Sequence, residues 1–554
     1  MCPRTVTSVS VAALLCALLL WACRPITASQ IPLPTATLDS TEPTITKVAP
    51  REGERGIPRN ATITVTFSEP IDQSMVSADS LVLTDAQEGH AVTGDVVFDG
   101  LSLIFTPREP LQFGTEYSAI IEAGIRDSAG NGLAQAHTWH FWTEERFTTT
   151  DAPTIQLSGL SGGSFILAYA VLDVNGDGSD DLIYSGPKWS NPSGGWVDEP
   201  AQLTVLLNAG EGRFFKGEGI TFPLGTPSLV HARDAKVADF NGDGKDDMFF
   251  LGAGYDRDPW PGEENLLLLA EPDGTFLDAS DQLGNRASGF SHSCAVGDID
   301  SDGDEDLVVV DIFGRFDPPA IYVLTNDGTG KFASRTQSVS GASSMVWTAS
   351  ELVDLDNDGS LDLVLGADSS SAISLILWND GKGRFKNAPT MLPSPDPFFI
   401  VVDILPLDLN SDGYQDLVIS STKEYPAYEG QYLQALVSQT DGSFADETPS
   451  HFPSQDTRAK WSFRVEGADL DLDGDTDLVT LYDLAGPNED HPIWLNDGSG
   501  VFSNTNTAPL SPPGTMIPID VDADGDIDFL ALSVYAFGNS EQVQRWTVVV
   551  NHTR

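Results

Sequence analysis

DVNGDGSDD, residues 173–181, is the stretch on which the fold turns. Its first, third, fifth and ninth places carry side-chain oxygens (Asp173, Asn175, Asp177 and Asp181), and Gly178 stands sixth. Oxygens so spaced curl round one hard cation where the glycine permits a sharp turn, and a backbone carbonyl at the seventh place completes the set. The same sentence returns with Asp239, Asn241, Asp243 and Asp247; Asp298, Asp300, Asp302 and Asp306; and Asp354, Asp356, Asp358 and Asp362. It returns again with Asp408, Asn410, Asp412 and Asp416; Asp469, Asp471, Asp473 and Asp477; and Asp520, Asp522, Asp524 and Asp528. One Asp/Gly-rich turn would read equally well as a solvated loop, but seven matching copies exclude coincidence. Calcium accepts about six to eight oxygens at flexible geometry, whereas magnesium demands a smaller octahedron, so about seven calcium sites are expected. An EF-hand is excluded, because the twelfth place in the first four copies is Tyr184, Phe250, Val309 and Leu365 rather than Glu.

Successive copies begin 51 to 66 residues apart, the size of one four-stranded propeller blade. Apolar runs such as 182–184 follow each loop, so the loop joins two strands. A second refrain comes later in each unit: LLNAGEGRF at 206–214, LTNDGTGKF at 324–332, LWNDGKGRF at 377–385 and WLNDGSGVF at 494–502, with shorter versions ending at Phe276 and Phe444. Asn-Asp-Gly between apolar runs is a hairpin turn. Each unit therefore reads strand, calcium loop, strand, long loop, strand, glycine hairpin, strand. The fold class expected is all-β, an Ig-like sandwich (below) followed by a seven-bladed β-propeller over 146–554.

Both refrains resemble the FG-GAP and VCBS repeats of integrin-α-like propellers, a resemblance that implies the propeller and its calcium and leaves the molecular function open. The seventh unit reaches 546–551 without a glycine hairpin or fourth strand, while RFTTTDAPTIQL at 146–157 resembles the Arg384-Phe385 segment after a hairpin. Residues near 147–157 are therefore expected to pair with 546–551 and build one blade from both chain ends.

Ahead of the repeats, residues 1–22 show a polar start with Arg4 and an apolar run, 11–22, too short to span a bilayer, and read as a signal peptide. The run ends LWAC at 20–23 and resembles a bacterial lipobox, with Cys23 as the lipidated residue, although Trp21 departs from the usual small or β-branched residue. Ordinary cleavage near Ala28 or Ser29 is the alternative. Residues 23–42, rich in Pro, Thr and Ser, form a flexible tether. Residues 43–145 alternate with period two, as in ATITVTF at 61–67, and resemble the bacterial Ig-like (SbsA-type) domain of S-layer proteins, a module that implies a spacer. His137 and His140 flank Trp139 there, either as a metal pair or as exposed strand histidines. Cys294 lies in an apolar strand pattern and reads as core.

A net charge of −53, from 82 acidic and 29 basic residues, argues against nucleic acid or an anionic membrane as partner and for cations. Membrane contact is expected only through the N-terminal lipid, and the chain is expected to be secreted, anchored at the bacterial outer membrane or cell surface. Its eight histidines are scattered, and neither a zinc-binding His-Glu-x-x-His nor a Gly-x-Ser-x-Gly nucleophile elbow is expected, so no catalytic residue is assigned. The reading is a calcium-binding surface protein for adhesion, recognition or display, with an extracellular protein or glycan as ligand. A calcium-dependent polysaccharide lyase or other hydrolase is the alternative. The loop after each second strand opens opposite the calcium loops and supplies the ligand-face candidates Trp189, Trp196, Tyr255, Trp260, Tyr425 and Tyr535, with Phe313, Phe316, Tyr428 and Phe537 beside them. Local packing of these aromatics is the other explanation.

Overall fold

A computed structural model describes residues 39–86, 89–149, 155–156, 163–164, 166–186, 188–190, 195–197, 199–210, 212–255, 258, 261–284, 289–312, 321–337, 346–368, 373–386, 388–394, 399–423, 429–455, 462–482, 493–504, 515–536 and 542–553. The signal peptide, nearly all of the tether, and Cys23 lie outside these. The chain divides into two units at Glu144/Glu145.

In the first unit, alternation such as that of Ile63–Phe67, whose odd residues are buried, gives strands with one apolar face. Strands β1 (Ile45–Ala49), β3 (Ile63–Phe67), β6 (Ser102–Pro107) and β5 (Gly94–Phe98) form one sheet in that order. Strands β2 (Glu54–Ile57), β8 (His137–Thr143), β7 (Glu116–Ile121) and β4 (Leu81–Asp85) form the other. Val65, Phe67 and Phe105 from the first meet Leu83, Trp139 and Phe141 from the second in one core. This is an Ig-like sandwich. Of the two readings of His137 and His140, strand histidines hold and a metal pair does not: three residues apart on β8, they fall on opposite faces, His137 against Trp139 and His140 beside Glu52.

In the second unit each acid loop joins the first two strands of an antiparallel four-stranded sheet. Sheet 1 takes Ala168–Leu172, Asp181–Ser185, Thr204–Asn208 and Phe214–Lys216; sheets 2 to 6 repeat that order from Ala232–Ala238, Ser291–Gly297, Trp347–Val353, Phe399–Leu407 and Ser462–Ala468 as first strands. Sheet 7 begins at Thr515–Ile519, continues through Asp528–Ala536 and Gln542–Asn551, and takes its outer edge from β9 (Phe147–Thr149) and β10 (Ile155–Gln156). Second strands such as Asp181–Ser185 and Asp247–Gly252 are buried at every residue, as strands covered on both faces must be.

Buried apolar layers join sheet 1 to 2, 2 to 3, 3 to 4, 4 to 5 and 5 to 6, and a last layer runs through sheets 6, 7 and 1. Among the described residues the seven sheets thus follow one another in a closed cycle. Cys294 is fully buried in one of these layers, as expected of a core residue.

Closure is the expected one. Asn551 pairs with Phe147, Val550 with Thr148 and Val549 with Thr149, while Trp546 pairs with Ile155. The Asn–Phe pair reproduces Asn208–Phe214, Asn326–Phe332 and Asn496–Phe502 across the hairpins of other sheets. Phe147 is buried and meets Phe529 edge to face at 5.5 Å. Emptying that site removes a core aromatic from the seam between the chain ends, so Phe147→Ala should cost about 3–5 kcal/mol and lower the melting temperature of the whole second unit. Unchanged calorimetric unfolding would show that the seam does not hold the ring.

Candidate functional site

The seven acid loops share one backbone conformation. The sixth-place glycines, Gly178 to Gly525, have φ between 83° and 96°. The fourth place is left-handed too, with Gly176 and Gly242 there in two loops but Ser301, Asn357, Ser411, Leu472 and Ala523 at φ 56° to 62° in the other five. Side chains such as leucine adopt that region only where surrounding contacts compel it. Those contacts come from the acids. The first-place carboxylate accepts the sixth-place amide in every loop, at 2.8–3.1 Å. The fifth-place carboxylate accepts the seventh-place amide in every loop, at 2.9–3.2 Å.

The ninth-place aspartates do something the motif alone does not announce. Asp181, Asp247, Asp306, Asp362, Asp416, Asp477 and Asp528 are all buried, and each uses both oxygens. One accepts the second-place amide of its own loop at 2.9–3.4 Å. The other accepts an amide at the end of the third strand, or in sheet 4 that of Asn379 two residues past it, at 2.6–2.8 Å. Burial pushes Asp181, Asp306, Asp477 and Asp528 up to about 7 and Asp247 and Asp362 up to about 6, although the paired amides pull the other way.

Carboxylate oxygens converge in four loops. Asp298, Asp300 and Asp302; Asp354, Asp356 and Asp362; Asp469, Asp471 and Asp477; and Asp520, Asp522 and Asp528 each bring three oxygens within 4.8 Å of one another. The other three loops carry Asn175, Asn241 or Asn410 at the third place, so one oxygen there belongs to an amide. Oδ1 atoms of Asp300, Asp471 and Asp475 are buried without a hydrogen-bond donor. Asp475 is pushed up to about 6, first by burial and then by Asp473, Asp471 and Asp469. An all-oxygen set with orphaned, mutually repelling carboxylates fits a hard divalent cation.

A further element went unread in the sequence: the hairpin asparagine. Asn208, Asn326, Asn379 and Asn551 donate through Nδ2 to the second-place carbonyl of the preceding sheet's loop, at Val521, Phe240, Ile299 and Leu470. Close approach makes the following glycine necessary, since a Cβ on Gly500 would stand 2.0 Å from the Leu409 carbonyl oxygen. Its signal was the recurrent Asn before Asp-Gly.

On the ligand-face candidates the structure speaks partly. Trp189 and Trp196 are register partners in a hairpin of Lys188–Ser190 and Gly195–Val197, Tyr255 is half-buried, and Tyr535 lies in Asp528–Ala536 opposite Val543. Trp260 and Tyr425 lie outside the described residues, as do Phe313, Phe316, Tyr428 and Phe537. The expectation of no Gly-x-Ser-x-Gly is corrected as to the string, since GLSGG at 159–163 spells it; residues 159–162 lie outside the described residues, and Gly163–Ser164 continues as strand, not as the helix a nucleophile elbow requires.

A clamp built on backbone amides should act with or without metal. Asp306→Asn turns one acceptor into a donor facing an amide, and should cost about 2–3 kcal/mol in urea unfolding both in calcium and in chelator. Asp302→Asn, at an exposed place, should cost far less in chelator; equal effects of the two would refute the clamp.

Comparison with known proteins places both units. The model for bacterial Ig-like domains matches residues 39–143, and that for FG-GAP-like repeats matches 173–250, 239–309, 310–365, 354–419 and 408–480. Integrin alpha pat-2 of Caenorhabditis briggsae is 25% identical over 254 residues, and that of Caenorhabditis elegans 24% over the same length. Each alignment covers 41% of this chain and only 20% of the integrin. A structural genomics protein of unknown function from Bacteroides thetaiotaomicron is 12% identical, covering 93% of this chain and all of that one, with a TM-score of 0.31. With the repeat model spanning more than half of its length, this chain belongs to the FG-GAP-like repeat proteins and carries a bacterial Ig-like domain ahead of the repeats.

Proposed function

We propose that the protein is a calcium-loaded adhesion or recognition module of the cell surface, with the closed cycle of sheets acting as a seven-bladed propeller and binding platform. The observation that carries this reading is the sevenfold acid loop, with the same left-handed fourth and sixth places in every copy and converging carboxylate oxygens in four of them. Asp or Asn at the first, third and fifth places supplies the ligands, and the ninth-place aspartate adds reach from below while it clamps the loop. Ion binding relieves the carboxylate repulsion, so its free energy stabilises the folded ring.

Integrin alpha chains and Ig-like modules support a surface role, and neither matched family is a catalytic one. Among the described residues no helix is long and apolar enough to cross a membrane. Lipid on Cys23 followed by the tether would hold the two units off the membrane. The working face we assign is the end opposite the acid loops, and the sequence candidates for it are Trp189, Trp196, Tyr255, Trp260, Tyr425 and Tyr535, residue types that offer flat apolar rings to a sugar or protein surface.

Chelation should lower the melting temperature of the full chain, and millimolar calcium should restore it. Identical calorimetric traces in the two conditions would remove calcium from the reading. On glycan and extracellular-protein arrays, calcium-loaded protein should bind, and Trp189→Ala with Trp260→Ala should lose most of that signal at unchanged melting. New absorbance from unsaturated sugar ends during a polysaccharide screen would assign a lyase instead.

A further inference from the structure

Five consecutive first strands carry the same irregularity. Each is bulged against its second strand, leaving one residue without a register partner: Arg233, His292, Thr348, Val402 and Phe463 on sheets 2 to 6. All five line one pocket, together with Leu167, Asp234, Ser293, Asp403 and Arg464. A bulge re-aims a side chain that a regular strand would bury between sheets, and five in register re-aim a ring of them. The bulges lie near the starts of these strands, whereas the acid loops follow their ends, so the pocket belongs to the end of the ring away from the acids.

The charges in this pocket are unevenly matched. Arg464 on sheet 6 reaches across to Asp234 on sheet 2, and also lies 3.5 Å from Glu466 and over the Tyr169 ring. Lys236 stands 3.5 Å from the same Asp234. Asp403 accepts the Val465 amide and is held within the fields of Arg464 and Lys236. Asp234 is thus already shared by two cations. Arg233 is different: among the described residues its guanidinium meets only His292. His292 donates through Nδ1 to the Thr348 carbonyl at 2.8 Å, so its Nε2 lone pair receives Arg233. Burial and Arg233 itself keep the imidazole uncharged. The histidine therefore orients the guanidinium without neutralising it, and among the described residues no acid pairs with Arg233.

We propose that this pocket binds a carboxylate, its oxygens paired with the Arg233 guanidinium and its carbon body against Leu167, Val402 and Phe463. Guanidinium and carboxylate match as a planar two-bond pair, which selects an acid over its amide. The cavity, about 50 Å³, takes the acid head and a few carbons, so the ligand is a short monocarboxylate or the carboxylate-ended tip of a longer molecule. Asp403 stands on sheet 5, away from Arg233, so the acid head is placed at the sheet 2 side.

Calcium-loaded full chain would be titrated with propionate and with acetyl-Gly-Gly, beside propionamide, acetyl-Gly-Gly-amide and chloride at equal ionic strength, and followed by calorimetry or ligand-observed NMR. Saturable binding of at least one acid is expected, with its amide and chloride bound at least roughly tenfold more weakly. Propionate binding marks a free small acid, and binding of the peptide alone marks a chain end. Arg233→Gln should abolish the binding, and Val402→Phe should block it by filling the cavity without touching the charges. Melting curves in calcium report whether either variant has lost its fold. Absence of saturable binding by either acid, equal binding of acid and amide, or full binding by a folded Arg233→Gln or Val402→Phe protein would overturn the proposal.

Discussion

The buried aspartate that ends each acid loop is the constraint on which the ring depends. It joins three pieces of chain: its own second strand, the opening of the loop seven residues before it, and the end of the third strand. For Asp528 these are Val521 and Asn551. A carboxylate in a buried layer is costly, and only two charge-assisted bonds to backbone amides make it tolerable. Those amides would otherwise be orphans, because the loop has left the ladder and the third strand has ended. One side chain thus satisfies both broken ends and sets the height at which the loop leaves the sheet.

From that fixed loop the contact between sheets follows. The second-place carbonyl, presented by the clamped turn, receives the hairpin asparagine of the next sheet, as Val521 receives Asn208 across the seam between sheets 7 and 1. Directional bonds of this kind set the register between sheets that apolar layers alone would leave free to slide. Both kinds of contact are present at the join between the chain termini. Asn551 donates to Leu470 as Asn208, Asn326 and Asn379 do to their preceding loops, and the strand that should follow it is supplied from residue 147 onward. The edge that would otherwise invite other chains is covered.

The repeated loop, the strand order and the shared last sheet were all legible in the sequence, because each rests on residue types at fixed spacing or on a recurring phrase such as Asn–x–Gly–x–Gly–x–Phe. Less legible were features in which one residue type serves two physical ends. Aspartate at the ninth place satisfies a ligand rule and a backbone-clamp rule alike, and only burial and bond partners separate them. The left-handed fourth place could not be read from Leu472, a residue that ordinarily argues against it, since the conformation is imposed by neighbouring carboxylates. His137 and His140 illustrate the converse: nearness in sequence on a strand says little once side chains alternate between faces.

Bulges were illegible for a related reason. A strand with one extra residue keeps an apolar pattern on either side of the insertion, so HARDAKVA at 231–238 reads as ordinary strand with stray charges. Those stray charges are the informative part. In a chain with 29 basic residues against 82 acidic ones, placing Arg233, Lys236 and Arg464 on first strands at the centre of the ring concentrates positive charge where burial makes each unmatched group most costly. Asp234, Glu351, Asp403 and Glu466 stand among these cations, and the bulge turns Arg233, which among the described residues pairs with none of the four, toward a cavity instead of the apolar layers between sheets. The two ends of the ring are thereby given opposite chemistry: carboxylates that want a cation follow the first strands, and a guanidinium that wants an anion precedes them. An architecture made of one repeated unit can hold both because the loop chemistry is set by turn residues that recur, while the pocket is set by bulged residues that differ from sheet to sheet.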